Sequence, residues 1–581
     1  MVQEIKKEAE SGHMILLSSV FGPYAQDDVY GSRKVNPMEL YHNQVTKVQG
    51  PFSIRMFHAT FGLRILQANI DAPCTVLDFP SQERFVQELK NYQYTLVGIS
   101  SIAVNIGKVK RMCELIRQYL PTAKIAVGGH ITNIAGLSEN IDADFIVRGE
   151  GIRWFREYLG QDVSKKVRHP LVYSAFGGRC MGMPLSHKPC ETAAILIPSL
   201  GCPIGCNFCS TSAMFGGRGK SIVFYDTGEA LYSVICGIEE KLRVQSFFVL
   251  DENFLLYKTR TLKLLDLMEK NSKSWSFMVF SSAQVLSSYT IDHLVRLGIS
   301  WVWMGLEGKE SRYAKLHGID TKQLIKTMQN HGIRVLGSSI IGLENHDHGN
   351  IKEVIDWAVS HDTDFHQFML YTPIPGTELY EEHKNDGSLL PLNECEYADI
   401  HGQYKFNFKH KRISGGRESD YLLRAFKEDF AVNGPSIARM INTLVQGWKM
   451  YKNHPDKRIR GRYMRECGKL STAYAAAIWA FKKWYKYDKK MQDKMSNILK
   501  ELYKEFGLKT RITAPIIGSI IHFSCKRDQA QLDKGKTLEP QTLYVKNKYA
   551  ADLDQKNLYK DFTDFSIAKW VTFEPDGSVE Y

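Results

Sequence analysis

Three cysteines stand within the stretch SLGCPIGCNFCSTS: Cys202, Cys206 and Cys209. Thiolates are soft ligands that select zinc or iron–sulfur clusters. Structural zinc closes its shell with four ligands, commonly as two paired knuckles, and the second knuckle is missing here. Cys180 or Cys190 folding back would complete such a shell, so zinc stays open as a reading. A [4Fe–4S] cube held by three thiolates instead leaves one iron free for an exogenous ligand. The C-x3-C-x2-C spacing suits three irons held from one tight loop, with Gly201 and Gly205 easing the wrap. On that reading the fourth iron is where substrate or cofactor binds.

Such a loop needs a scaffold, and the chain is long enough for several. Its 581 residues predict two to four domains, and a 44% hydrophobic share with 11% aromatics is globular. Eleven cysteines is an odd number for a disulfide framework, and the start, MVQEIKKEAESGHMILLSS, has only a very short apolar run. No stretch reaches the ~18 apolar residues of a membrane-spanning helix. These features argue against a secreted disulfide scaffold or a membrane-spanning chain. They predict a soluble, cytoplasmic protein with reduced thiols.

The predicted fold class is α/β, in three parts. Residues 12–165 alternate apolar runs (MILLSSVFG, CTVLDFP, YTLVGISSI, KIAVGGH, DFIVRGEG) with helical patterns, the pattern of a doubly wound parallel sheet. One helix is expected across NIGKVKRMCELIRQYLP, with Ile106, Val109, Met112, Leu115 and Ile116 on one face and a stop at Pro121. Sheets of this kind bind ligands beyond the carboxyl ends of their strands, where GISS and GGH permit close backbone approach. Residues 166–192 read as a linker. Residues 193–410 contain six strand-like runs, each followed by a helical run, and predict a partial (β/α)6 barrel of parallel strands. The cysteine triplet falls at the carboxyl end of its first strand, the end where barrels of this kind carry their active sites. Residues 411–581 form a C-terminal, mainly helical, basic domain, helical to about 507 and ending in a hairpin with an Asp-Gly turn.

The C-x3-C-x2-C loop after the first strand, with Phe208 just before the last cysteine, resembles the radical S-adenosylmethionine (SAM) superfamily. LDENF, GLEG, IIGLE and TPIPGTELY follow in order at later strand ends. With the N-terminal sheet they resemble the members that carry a cobalamin-binding domain, over roughly residues 14–410. The resemblance implies three cofactors: a [4Fe–4S] cluster on Cys202, Cys206 and Cys209, SAM, and cobalamin. SAM contacts are expected from Phe208, Asp251, Glu252, Asn253, Ser282, Glu307 and the backbone at Gly342, whereas Glu344 is one place off the common spacing. Cobalamin contacts are expected from Ser100, Ser101, Gly128, Gly129, His130, Gly149 and Glu150. One departure stands out. The D-x-H-x-x-G motif that supplies a lower axial histidine is absent, since none of His13, His42, His58 and His130 follows an aspartate by two places. Cobalamin is therefore expected with no histidine below the cobalt, the alternative being a sheet that has lost the cofactor.

The activity implied is C-methylation of an unactivated carbon, with hydrogen removed by a 5′-deoxyadenosyl radical and methyl delivered from methylcobalamin. Two alternatives are carried. One is radical carbon–carbon coupling or rearrangement without methyl transfer, possible for a lipid or isoprenoid substrate. The other is a cobalamin- or zinc-binding module without turnover. A flavodoxin- or ferredoxin-type electron donor is expected as partner. Between Ser436 and Lys490 fourteen Lys and Arg face three acids, Asp456, Glu466 and Asp488, which carries nearly all of the +12 net charge. That stretch suits peripheral contact with an anionic membrane, an ordinary helical domain with its aromatics turned inward, or, least well, nucleic acid.

Overall fold

The structure is a computed structural model. It describes residues 14–22, 29–30, 43–57, 59–174, 176–185, 191–309, 313, 316, 318–539, 543–547, 569–573 and 579–580. Cys190 and the expected Asp-Gly turn lie outside the described residues, as do His13, His42 and His58.

Five parallel strands build the N-terminal sheet: β1 (Ile15–Ser19), β2 (Cys74–Asp78), β3 (Leu96–Ser100), β4 (Lys124–Gly128) and β5 (Phe145–Val147). Their spatial order is β2-β1-β3-β4-β5, so the winding reverses between β1 and β3. Every residue of β1 and β2 is buried, as expected of strands covered on both faces. Helices Phe61–Asn69, Gln82–Asn91, Ile106–Tyr119 and Gly151–Tyr158 accompany the sheet. The third buries Val109, Met112, Leu115 and Ile116 and ends two residues before Pro121. Residues 176–184, read as linker, supply two short strands, Phe176–Cys180 and Met183–Pro184, which join Arg55–Phe57 in an antiparallel sheet.

The central part is an open barrel of six parallel strands: β6 (Ala193–Leu196), β7 (Ser246–Val249), β8 (Ser276–Ser282), β9 (Ile299–Glu307), β10 (Arg334–Ile341) and β11 (Phe365–Leu370). They are paired in sequence order. Trp275, Phe247, Phe277, Phe365 and Phe368 are among its fully buried side chains.

The C-terminal part differs from expectation in two ways. Helix does not fade near residue 507: a long helix runs Lys489–Asp533, kinked at Gly507. The charged aromatic stretch 436–490 also turns inward, so the membrane contact expected of it finds no support. Tyr451 stacks on Tyr463 at 4.4 Å, Trp484 meets Phe52 edge-on at 4.9 Å, and Trp448 lies 5.3 Å from Phe506. Its arginines reach into the barrel: Arg462 donates to the Val295 carbonyl (2.7 Å) and Arg439 to that of Thr363 (2.7 Å). Up to Lys469 the basic composition largely serves bonds within the fold, whereas Lys483, Lys486 and Lys490 at its end stay exposed. Two strands near the end, Lys569–Phe573 and Val579–Glu580, pair antiparallel. A further strand, β12 (Leu543–Asn547), pairs antiparallel with β2 and closes the edge of the N-terminal sheet.

Arg439 also grips Asp429 through both carboxylate oxygens, at 2.7 and 3.1 Å, with both side chains about 95% buried. Arg439→Ala strands a buried carboxylate, and an expected loss of about 3–5 kcal/mol follows. Urea denaturation should show this as an early unfolding transition, partly restored in the Arg439→Ala/Asp429→Ala double variant.

Candidate active site

The cysteine loop is held by its own backbone. After β6 the chain forms a short strand, Ser199–Leu200, then turns at Gly201 (φ +80°) and Gly205 (φ +63°). A Cβ on Gly201 would lie 2.7 Å from the Phe215 side chain, and one on Gly205 2.4 Å from the Arg218 Cα, so both turns require glycine. Gly205 N donates to the Cys202 carbonyl (3.2 Å), Cys209 N to that of Cys206 (3.0 Å), and Ser212 Oγ to that of Cys202 (3.0 Å). The helix Ser210–Met214 begins directly after Cys209. All three thiols are half-buried. Burial pushes Cys202 up to about 11 and raises Cys209 as well, so ionisation of these thiols calls for a bound cation. Among the described residues no three His, Cys, Asp or Glu side chains converge as a mononuclear metal site requires. Cys180 ends a strand that leads to Gly182, which packs against Ser524 of the long helix.

The three cysteines line a cavity of about 340 Å³ at the carboxyl ends of the barrel strands. Phe208, Glu252, Asn253, Ser282 and Glu307 line it too, all expected from sequence. Trp303, Ser339, Tyr371, Thr372 and His401 join them. Thr372 alone belonged to a motif noted in the sequence. Trp303 and Ser339 sit on β9 and β10, where alternation along a strand carried the only signal, and nothing local marked His401. Asn253 accepts from Ser281 Oγ (3.0 Å), while Glu307 is buried in a left-handed conformation (φ +54°). Two expected SAM contacts are placed otherwise. Asp251 is fully engaged by Ser199 Oγ and by Arg260 (3.0 Å), a buried ion pair that anchors the strand end. Gly342 lies against the Phe406 ring and donates its N–H to His346 Nδ1 (3.0 Å), outside the lining of this cavity.

A second cavity, of about 560 Å³, lies at the β1/β3 switch point between the N-terminal sheet and the barrel. All seven residues expected at cobalamin line it: Ser100, Ser101, Gly128, Gly129, His130, Gly149 and Glu150. Thr211 and Met214 from the helix after the cysteine loop line it as well, as do Leu250, Asp251, Glu252 and Phe280. The remaining wall is mainly aliphatic, as a large flat macrocycle requires. His130 lines this cavity and also reaches across to the cysteine-loop helix. Its Nε2 lies 3.2 Å from Thr211 Oγ1, burial lowers its pKa, and the neutral ring ties the two domains together. The Glu150 carboxylate caps the helix Gly151–Tyr158, accepting from Ile152 N at 2.8 Å.

Glu252 faces both cavities. Its Oε2 is buried with no hydrogen-bond partner among the described residues. Burial, reinforced by the Asp251 charge, pushes its carboxyl up to about 7. An acceptor left unpaired beside the cysteine loop fits an ammonium-bearing ligand, whose charge would return the carboxyl to its ionised form. The glycine-walled switch-point cavity fits a macrocycle in the same way.

A cysteine loop on a parallel half-barrel, closed from above by a doubly wound domain, defines a class: a radical SAM core joined to a cobalamin-binding domain. Family comparison agrees. The B12 binding domain model matches residues 52–159 and the Radical SAM superfamily model residues 196–358. The chain thus carries a B12-binding domain ahead of a radical SAM domain. It is an enzyme whose cofactors are a [4Fe–4S] cluster, SAM and cobalamin. It is 25% identical over 399 residues to uncharacterized methyltransferase PH0819 of Pyrococcus horikoshii, covering 62% of this chain and 86% of that one. To bacteriochlorophyllide d C-12(1)-methyltransferase of Chlorobaculum tepidum it is 23% identical over 270 residues, 44% of this chain and 56% of that one. The structure of the radical SAM methyltransferase TsrM from Kitasatospora setae, with cobalamin and a [4Fe–4S] cluster bound, aligns over 79% of this chain and 99% of that one. The TM-score is 0.47 at 14% identity. No helix among the described residues is long and apolar enough to cross a membrane.

Proposed function

We propose that this enzyme is a cobalamin-dependent C-methyltransferase acting on an unactivated carbon. The observation that carries the reading is the shared wall: Glu252 borders both the cysteine-lined cavity and the switch-point cavity. One substrate carbon can then be served from both sides. Two relatives named as methyltransferases support the same reading. When bound, the cluster supplies the electron that cleaves SAM and cobalamin supplies the methyl group. Cys202, Cys206 and Cys209 would hold the cluster from one loop. Glu252 would accept from the SAM ammonium, Asn253 and Ser282 would line its approach, and Glu307 would accept from the ribose hydroxyls. The ring of Phe208, edge-on to Tyr313 at 5.0 Å, would wall the cluster from solvent. Asp251 and Arg260 hold the strand end in place, and His130, 3.2 Å from Thr211 Oγ1, joins the two domains. The electron donor is of flavodoxin or ferredoxin type, and the substrate is a molecule with an unactivated C–H bond, a lipid being one chemistry that fits.

The test uses full-length protein purified without oxygen from cells supplied with cobalamin. About four irons and one corrinoid per chain are expected. With reductant and methyl-labelled SAM, label should pass into an organic product from cell extracts. SAM cleavage without label transfer would replace this reading with radical coupling or rearrangement. Zinc in place of iron would remove it altogether.

A further inference from the structure

The second half of the long helix carries an apolar row on its outer side. Leu508, Ile512, Ile516, Ile520 and Phe523 are 73%, 55%, 62%, 60% and 70% exposed. Their spacing sets them along one broad face, about 22 Å long at 1.5 Å per residue. The inner face already holds the helix on the protein: Thr510, Ala514, Gly518, Ile521 and Cys525 are buried, and Gly518 packs against Trp479. The outer row therefore contributes little to the fold, and an exposed apolar strip of this size marks a contact.

Charge identifies the partner. Residues 507–527 contain no Asp or Glu, while Lys509, Arg511, Lys526 and Arg527 are exposed and in no ion pair among the described residues. The neighbouring helix ends beside the row, where Trp484 meets the His522 ring edge-on at 5.8 Å, and Lys483 and Lys486 flank that tryptophan in sequence. Tyr487, next in sequence, is 89% exposed. A second copy of the chain would bring like charges face to face across a two-fold interface. Nucleic acid would find a row of four aliphatic side chains with a single aromatic, Phe523, a poor platform for stacking successive bases. An anionic bilayer meets both halves of the pattern, burying the apolar row among acyl chains while the cations pair with the headgroups. We propose that the outer face of residues 508–527 docks this enzyme onto an anionic lipid surface.

The full-length protein would be sedimented with vesicles of phosphatidylcholine alone or mixed with phosphatidylserine. Binding is expected to the mixed vesicles, falling steeply with salt. The variants Ile516→Gln/Ile520→Gln and Lys526→Glu/Arg527→Glu should each bind at least about tenfold more weakly. All four side chains are exposed, so the thermal melt should match that of the unaltered protein. Unaltered protein that ignores mixed vesicles, or variants that bind them equally well, would overturn the proposal. So would a dimer in analytical ultracentrifugation that Ile516→Gln/Ile520→Gln dissolves without any vesicle binding.

Discussion

Replacing any one of Cys202, Cys206 and Cys209 by alanine is expected to abolish reductive cleavage of SAM. On the proposed reading each thiolate would serve a separate iron, so no second ligand in the loop would compensate for its loss. Iron should fall well below the stoichiometry of the unaltered protein, and SAM cleavage by at least about 10³-fold, some 4 kcal/mol of barrier. The fold should survive. The loop is shaped by Gly201, Gly205 and backbone bonds, and Ser212 Oγ holds the Cys202 carbonyl, not its sulfur. Circular dichroism therefore separates a lost cluster from a lost fold. Cys180→Ala is the control. Cys180 ends a strand that leads to Gly182, which packs against Ser524 of the long helix, and its replacement should leave iron and SAM cleavage intact. Full iron content and cleavage in a loop variant, or their loss in the control, would move the cluster elsewhere.

Gly128→Leu is expected to empty the switch-point cavity while sparing the cluster. A Cβ at Gly128 meets only the Val147 carbonyl, at 3.5 Å, so a side chain fits there without displacing backbone. The room it takes is the cavity's, since Gly128 is part of its wall. Corrinoid content should drop more than about tenfold and methyl transfer with it, while SAM cleavage and iron persist. Gly129 would be a poor choice for the same experiment. Its φ is +86° and its Cβ would lie 2.5 Å from the Ser101 carbonyl oxygen, so substitution strains the strand end itself. A Gly128→Leu protein with a full complement of corrinoid would sink the assignment of this cavity. Loss of SAM cleavage in the same variant would show that the two cavities cannot be emptied independently.

These two experiments rest on features with different origins. The cysteine loop was legible because everything that shapes it is local: three thiols, two turn glycines and the strand before them fall within residues 193–209. The parallel strands of both sheets were legible because strands buried on both faces read as apolar runs. The strand-end glycines and serines of the N-terminal domain were legible for the same reason.

What lay beyond the sequence was who covers whom. Asp251 looks like a free carboxylate in LDENF. It is occupied, because Arg260 on the next helix folds back to neutralise it once both are buried. Its neighbour Glu252 has the same chemistry and no such partner, and it comes to face two cavities only when the N-terminal sheet is laid over the barrel. The cations of 436–490 seemed the surface feature, yet Arg439 and Arg462 are spent on buried acceptors. The exposed cations with apolar neighbours stand on a helix the sequence had ended at residue 507. Composition and spacing by themselves determined the strands, the cluster loop and the class of chemistry, because each is set by contacts within a few residues. Which carboxylate stays unpaired, which cations stay in solvent, and where two cavities meet were decided by tertiary packing. Desolvation and charge neutralisation depend on segments that are distant in sequence.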